Sequence, residues 1–405
     1  MGSSSRTFLK VFIALSLLSL FADVVYEGAR SISGAYLNIL AAPAIAAGIL
    51  GLGELLSYVM RLVGGVVAQK APSGRTYWAV IFFGYASTLV VPLLALAGSW
   101  ELALTLFFLE RLGKGIRAPP RDVIIAEVTE GVGRGKGFGL HELLDQVGAI
   151  TGPLIVSLVI ALRGYPEGYR AAFWIMWIPW ILSMSMLMLA ARLYPEPRAI
   201  AAAREEMPRG SKAMPDRRFW IFLAGSILIM LGFLHWGVIS YYAQDSVKIG
   251  LLSAEEIALL YLAAMAVDAT IALPIGALYD RLGTKSIIVA PISAALIAPP
   301  LFMTPGRLGF YISSVFWGFT MGVIETIMRA AIADIVPPGA RSIAYGIYSF
   351  GIGLGWAASG LLLAYLYQAR AIMGIIVFCV LMEAAATIIL TTTSRAVGKT
   401  LIPAR

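Results

Sequence analysis

The sequence predicts an all-α membrane protein of twelve transmembrane helices in two pseudo-symmetric six-helix bundles, and composition, span count and an internal repeat carry that prediction. Of 405 residues, 59% are AVILMFWYC and 13% are charged, with a mean hydropathy of +0.84. Soluble chains carry roughly 25% charged residues, so a soluble globular fold is excluded. A crossing takes about 20 apolar residues and a short loop, which fits about twelve spans into the chain. A shift of 207 residues places Glu127 on Asp334, Arg134 on Arg341, Gly139 on Gly346 and Gly148 on Gly355. Spans four and five thereby echo spans ten and eleven, as two parallel halves of a rocking transporter would.

Apolar runs broken by Gly, Pro or charge clusters predict spans at 8–39, 43–69, 76–98, 100–128, 135–162 and 170–192. A second set falls at 218–244, 254–279, 285–304, 308–335, 341–369 and 371–393. Between the sets, 193–216 is the one long polar segment, so the expected domains are a bundle at 1–192, a cytoplasmic linker at 193–216 and a bundle at 217–405. With the N-terminus inside, nineteen Lys and Arg residues fall on the cytoplasmic side and five on the other, counted over segments near the span ends. The positive-inside rule therefore predicts cytoplasmic termini and linker in the cell (cytoplasmic) membrane. The same topology accounts for the net charge of +8, and no dense basic run interleaved with aromatics suggests nucleic acid. One cysteine, Cys379, and two histidines, His141 and His235, argue against intrachain disulfides, a metal site or zinc catalysis. No HExxH, GxSxG or nucleotide motif is present. No enzyme activity and no cofactor are expected, and the bilayer, a small-molecule substrate and protons are the expected partners of a monomer.

Ionisable residues inside spans cost on the order of 2.5–3.5 kcal/mol each at the bilayer centre, which makes them functional candidates. They are unevenly spread. Span one holds Asp23, Glu27 and Arg30, span two Glu54 and Arg61, and span ten Glu325 and Arg329. Span four holds Glu110, Arg111, Lys114, Arg117, Arg121 and Asp122. Asp23, Glu27 and Arg30 share a helix face at i, i+4 and i+7; Glu110, Lys114, Arg117 and Arg121 form a second stripe, and His141, Asp145, Gly148 and Gly152 a third. Such stripes could be internal ion pairs holding a bundle together. Proton coupling instead requires an acid that is neutral when desolvated and ionises beside a cation or water. Asp23, Glu27, Glu110 and Asp145 are the candidate acids, with Arg111 the cation beside them. Candidate cavity residues are Tyr26, Arg30, Glu54, Arg61, Lys114, His141, His235, Trp236, Tyr241, Asp268, Glu325 and Arg329.

GALYDRLGTK, Gly276–Lys285, follows span eight and resembles the loop signature GxLaDrxGrk of the major facilitator superfamily, with Asp280 and Arg281 in register. The first-half loop, GGVVAQKAPSGRT, keeps Gly65, Lys70, Gly74 and Arg75 but puts Gln69 at the acidic position. RLGKG at Arg111–Gly115 is similar to the family's RxxxG element, and GAITGP, Gly148, Gly152 and Pro153 included, matches the GxxxGP core of its antiporters. The resemblance implies alternating access, a cavity lined by spans one, four, seven and ten, and a cytoplasmic latch at Asp280. It also implies proton-coupled transport of a small organic solute, with export by antiport as the leading expectation. A proton symporter importing an organic anion is the alternative suggested by Arg111, Lys114 and Arg117, and a non-transporting membrane sensor is a third reading.

Overall fold

The computed structural model describes residues 3–71, 73–130, 134–197, 215–337 and 340–398. Most of the predicted linker, 198–214, lies outside them. Among the described residues all regular structure is helical, and ten stretches are long and apolar enough to cross a membrane. One of these, Glu256–Met303, has 48 residues where one crossing needs about 20. It turns at Gly283, whose φ of +58° suits a residue without Cβ, and so supplies spans eight and nine. Trp100–Val128 is absent from the ten because its 29 residues include eight charged side chains. It is span four, and the count of twelve follows.

Local chemistry sets the boundaries. Ser99 Oγ caps span four by accepting from Leu102 N at 3.3 Å, and Asp216 caps span seven by accepting from Arg218 N and Phe219 N at 3.0 and 3.3 Å. Arg341 donates to Ala333 O and Val336 O at 2.6 and 3.1 Å, satisfying carbonyls at the end of span ten.

Several expected continuous spans are interrupted. Span one ends at Ser31 and a short helix, Ser33–Ile39, follows. Span three passes through 3-10 turns at Ser87–Leu89 and Leu94–Leu96, around Pro92. Span ten contains a π turn, Ile324–Met328. Span seven ends its first helix at Gly232 and resumes at Trp236. Phe233 there is extended (φ −80°, ψ 116°), and His235 caps the second piece, its Nδ1 accepting Gly237 N–H at 3.0 Å. Backbone exposed by the break must be satisfied inside the protein. Ser359 Oγ donates to Phe233 O at 2.8 Å and Trp317 Nε1 to Leu234 O at 2.9 Å.

The chain divides into two compact units. The first comprises Met1–Ala41, Leu56–Arg209 and Ala254–Leu262; the second takes Ala42–Leu55, Gly210–Ser253 and Ala263–Arg405. A core of Leu15, Leu18, Tyr77, Trp78, Tyr85, Ile124 and Leu187 fills part of the first. The second is centred on aromatics: Trp317 lies 5.3 Å from both Phe233 and Trp236, ring to ring, and Phe233 lies 6.0 Å from Trp356.

Glycine permits the closest helix approaches. A Cβ on Gly148 would strike Leu20 O, one on Gly152 would strike Val24 O, and one on Gly318 would overlap Ala264 O. Gly318→Leu is therefore expected to force spans eight and ten apart, costing roughly 1–3 kcal/mol. A lowered thermal transition of the purified protein checks it, and an unchanged transition counts against this packing.

Candidate functional site

The intramembrane charges of spans one, four and five gather in two clusters within the first unit, one around Tyr26 and one around Arg121. Span one presents Ser16, Ser19, Asp23, Tyr26, Glu27 and Arg30 at helical spacing on one face. Span four faces it with the stripe from Glu110 to Asp122, and span five closes in through its glycines with His141 and Asp145. Pro119 and Pro120 leave Gly115 O and Ile116 O of span four without their usual helical donors. At the same level, Gly64 brings span two so close to Ile116 O that a Cβ would not fit.

Tyr26 is the centre of the first cluster. Its ring has Lys114 Nζ 3.3 Å and Arg111 Cζ 4.2 Å from the centroid, with Arg30 Cζ at 6.0 Å, and Arg111 also donates to its hydroxyl. A desolvated cation over an aromatic face gains on the order of 2 kcal/mol, so one tyrosine gathers three cations. Acids offset them. Glu27 Oε2 lies 3.6 Å from Arg30 Nη1 and accepts from Tyr261 OH at 2.5 Å, while Glu110 Oε2 lies 3.7 Å from Arg111 Nε. Towards the predicted cytoplasmic end, Arg117 is 3% exposed, with Cζ 4.4 Å from the Tyr85 ring centroid and Nη1 donating to Gly84 O at 3.2 Å. Arg121 grips Asp122 Oδ1 at 2.9 and 2.7 Å and donates to Ser19 Oγ at 2.8 Å and Tyr85 OH at 3.4 Å. His141 sits between Ser16 Oγ at 3.2 Å, Ser19 Oγ at 3.4 Å and Asp145 Oδ2 at 3.6 Å.

Three members are less committed. Asp23, Lys114 and Asp145 are partly exposed. Neither Asp23 nor Lys114 makes a direct ion pair among the described residues, and Asp145 Oδ1 has no hydrogen-bond partner among them. Gly148 of GAITGP packs against Asp23, a Cβ there falling 3.1 Å from Asp23 Cβ.

The other sequence candidates lie elsewhere. Arg61 stacks 5.4 Å from the Tyr58 ring centroid, and Glu54 is buried within the second unit. His235 is the helix cap already described, its ring 5.7 Å from Trp356, and Trp236 is part of the aromatic core. Tyr241 donates to Ala42 O at 2.7 Å, Asp268 is buried beside Gly322, and Glu325 and Arg329 are exposed at the π turn. In the loop motifs, Gly65 faces Pro119, Gln69 ends its helix and Arg75 is exposed. Asp280 and Arg281 are exposed and make no ion pair among the described residues. Gly276 lies beside Thr326. A carboxylate does reach the first-half loop, but from a distance: Glu196 Oε2 accepts from Gly74 N at 3.0 Å.

Ser16, Ser19, Tyr85, Tyr261 and Glu196 are participants that the charge pattern did not single out. The serines continue the span-one stripe by three and four residues and were legible there. Tyr85 and Tyr261 come from other spans and Glu196 from the start of the linker, and none carries a local signal.

Comparison with known proteins places this architecture. The sequence profile of the Major Facilitator Superfamily matches residues 12–254 and 221–405. The chain belongs to the Major Facilitator Superfamily. It is a transporter rather than an enzyme. An uncharacterized protein of Mycobacterium tuberculosis, Rv2265, is 36% identical over 370 residues, 90% of this chain and 88% of that protein. An uncharacterized MFS-type transporter of Methanocaldococcus jannaschii, MJ1317, is 24% identical over 325 residues, 78% of each chain. Solved structures share the fold at low identity. The nucleoside transporter NupG superposes with a TM-score of 0.71 at 14% identity, covering 96% of this chain and 99% of that one. A bacterial homolog of the human lysosomal transporter Spinster gives 0.70 at 16%, covering all of both chains. The predicted twelve-helix fold, multi-pass membrane embedding and transporter class therefore stand.

Glu27 holds its place through Arg30 and Tyr261, so Glu27→Gln leaves a buried guanidinium undercompensated. The expected loss is on the order of 3 kcal/mol, read as a lower thermal transition, with Tyr261→Phe losing less. Wild-type stability in Glu27→Gln would remove Glu27 from the structural framework.

Proposed function

We propose that the protein is a proton-coupled secondary transporter of a small organic solute, working by alternating access and exporting that solute in exchange for protons. The packing of Gly148 on Asp23 carries this reading. It places the antiporter-like motif of span five against a part-exposed acid with no direct ion pair, beside a lysine with none. Any separation of spans one and five changes the solvation of Asp23, and any change in the charge of Asp23 alters the balance at Lys114. Movement and protonation are linked through one contact. Asp145, whose Oδ2 lies 3.6 Å from His141 Nε2, is the second acid assigned to coupling. Glu27 and Glu110, already paired with arginines, serve to hold Arg30 and Arg111 in place.

Symport of an organic anion is the second reading, favoured by Lys114 and Arg111 over Tyr26, where an anion could replace Asp23 as the partner of Lys114. Flux in proteoliposomes under an imposed pH gradient, with an organic cation, an organic anion and a neutral lipophile as separate solutes, distinguishes the two. Efflux driven by inward proton flow supports antiport, whereas anion uptake with protons supports symport. We further assign Asp280 as a cytoplasmic latch through a charge-assisted contact formed in the outward-facing state.

Asp23→Asn is expected to abolish gradient-driven accumulation while sparing solute exchange at equal pH, because exchange needs the rocking motion but no net proton transfer. Full gradient-driven accumulation in both Asp23→Asn and Asp145→Asn would move coupling to other residues. Asp280→Asn should shift the population towards inward-open by about 1–3 kcal/mol, measured by spin-label distances across the cytoplasmic side. An unchanged distance distribution argues against the latch.

A further inference from the structure

Glu383 is the one charged residue within Ile372–Thr392, the apolar part of span twelve. Its side chain is not explained by the clusters in the first unit. The residue is 1% exposed, and neither carboxyl oxygen has a hydrogen-bond partner among the described residues. It lies eleven residues into its helix, about 16 Å from the start, and faces Gly232, the last residue of the first piece of span seven. A Cβ on Gly232 would lie 2.5 Å from Glu383 Oε1 and 3.0 Å from Cys379 O. The carboxyl therefore occupies the point where span seven leaves its helix.

That point constrains the charge. A helix C-terminus carries about half a negative charge and carbonyls without intrahelical donors. An ionised Glu383 would be desolvated, unpaired and beside an end of its own sign. A neutral carboxylic acid has an O–H to give, and the last turn of span seven has carbonyls to receive it. Other titratable groups do not supply compensation. Span twelve packs on the first piece of span seven and on spans nine and eleven. The cations Arg217 and Arg218 sit at the far end of span seven, about 20 Å along the helix from Gly232. Lys285 opens span nine and Arg341 opens span eleven, whose titratable groups are otherwise tyrosines. The nearest such group on span twelve is the Cys379 thiol, one turn away. Beyond the break, His235 is engaged as the cap of Gly237. Among the described residues, Glu383 makes no ion pair.

We propose that Glu383 is a proton-binding site whose bound proton joins span twelve to the carbonyl end of the first piece of span seven. Loss of that proton places two like charges in contact and opens the break at Phe233–His235. The site is separate from Asp23 and Asp145 and does not rest on their role in coupling.

The full-length protein in nanodiscs, with no solute added, tests this. Infrared difference spectra of wild type and Glu383→Gln at neutral pH should show a protonated-carboxyl band that the variant lacks. Amide hydrogen exchange over residues 229–235 should rise severalfold in wild type relative to Glu383→Gln as the pH is raised, since the amide cannot ionise. No band lost in the variant, or exchange that matches at every pH, overturns the proposal. If Glu383→Gln does not fold, wild-type protein is treated with dicyclohexylcarbodiimide. The acid oxygen adds to the carbodiimide carbon while the acid proton moves to nitrogen, so the label reports the neutral form. Labelling at Glu383 that falls as the pH rises supports the site, and an unlabelled Glu383 at neutral pH overturns it.

Discussion

The polar architecture of the first unit depends on Tyr26. Three cations converge on its ring, an arrangement that would repel itself without the ring's negative face and the acids set around it. Span one then has to present acids at the same level, and Glu27 does so with help from Tyr261. Span four has to keep Glu110 beside Arg111. The five acids Asp23, Glu27, Glu110, Asp122 and Asp145 balance the five bases Arg30, Arg111, Lys114, Arg117 and Arg121. A bundle in a low dielectric can carry ten charges only when they are close to neutral in sum and locally compensated. Within that balance, Asp23 and Lys114 are members without a direct ion pair among the described residues.

Most of the fold was legible because crossing a bilayer imposes a length and a composition that few other folds satisfy. Span four was expected at 100–128 and is observed at Trp100–Val128, and spans two, five, eleven and twelve begin within one residue of expectation. The break in span seven was not legible. Hydropathy runs unbroken through Gly232, Phe233 and Leu234, and the carbonyl acceptors find donors in Ser359 and Trp317, more than 80 residues away. The π turn at Ile324–Met328 escaped for a similar reason, since one extra residue in a turn leaves an apolar run apolar.

The candidate site was legible in its charged members and obscure in its neutral ones. A charge in a span announces itself by its cost, so Asp23, Lys114 and Asp145 were found from the sequence. The hydroxyls that orient them are cheap to bury once bonded and give no such signal. Tyr85 and Ser19 show the consequence: each binds Arg121, yet each reads in sequence as an ordinary apolar-span residue. In the second half the structure gives two of the candidates packing roles that spacing did not indicate. His235 and Trp236 sit where a cavity residue is expected, but one caps a helix and the other completes an aromatic core.

The two halves share a fold without sharing its chemistry, and the helix-packing glycines show what that means. Gly148 on span five meets Asp23, whereas its repeat counterpart Gly355 on span eleven meets Ile227 and Met230 of span seven. The same close approach thus has an ionisable residue in one half and an apolar surface in the other. A contact between apolar surfaces responds to force but not to pH, while a contact holding a carboxyl responds to both. In the second half an acid meets a glycine elsewhere, where Glu383 of span twelve lies against Gly232 of span seven. Both cases place an acid against a glycine, where no side chain shields it from the neighbouring backbone. Where a carboxyl lies that near a neighbouring backbone, as Glu383 does at Gly232, a change in its charge would alter how closely the two helices pack, because the fixed dipoles of the partner cannot rotate away.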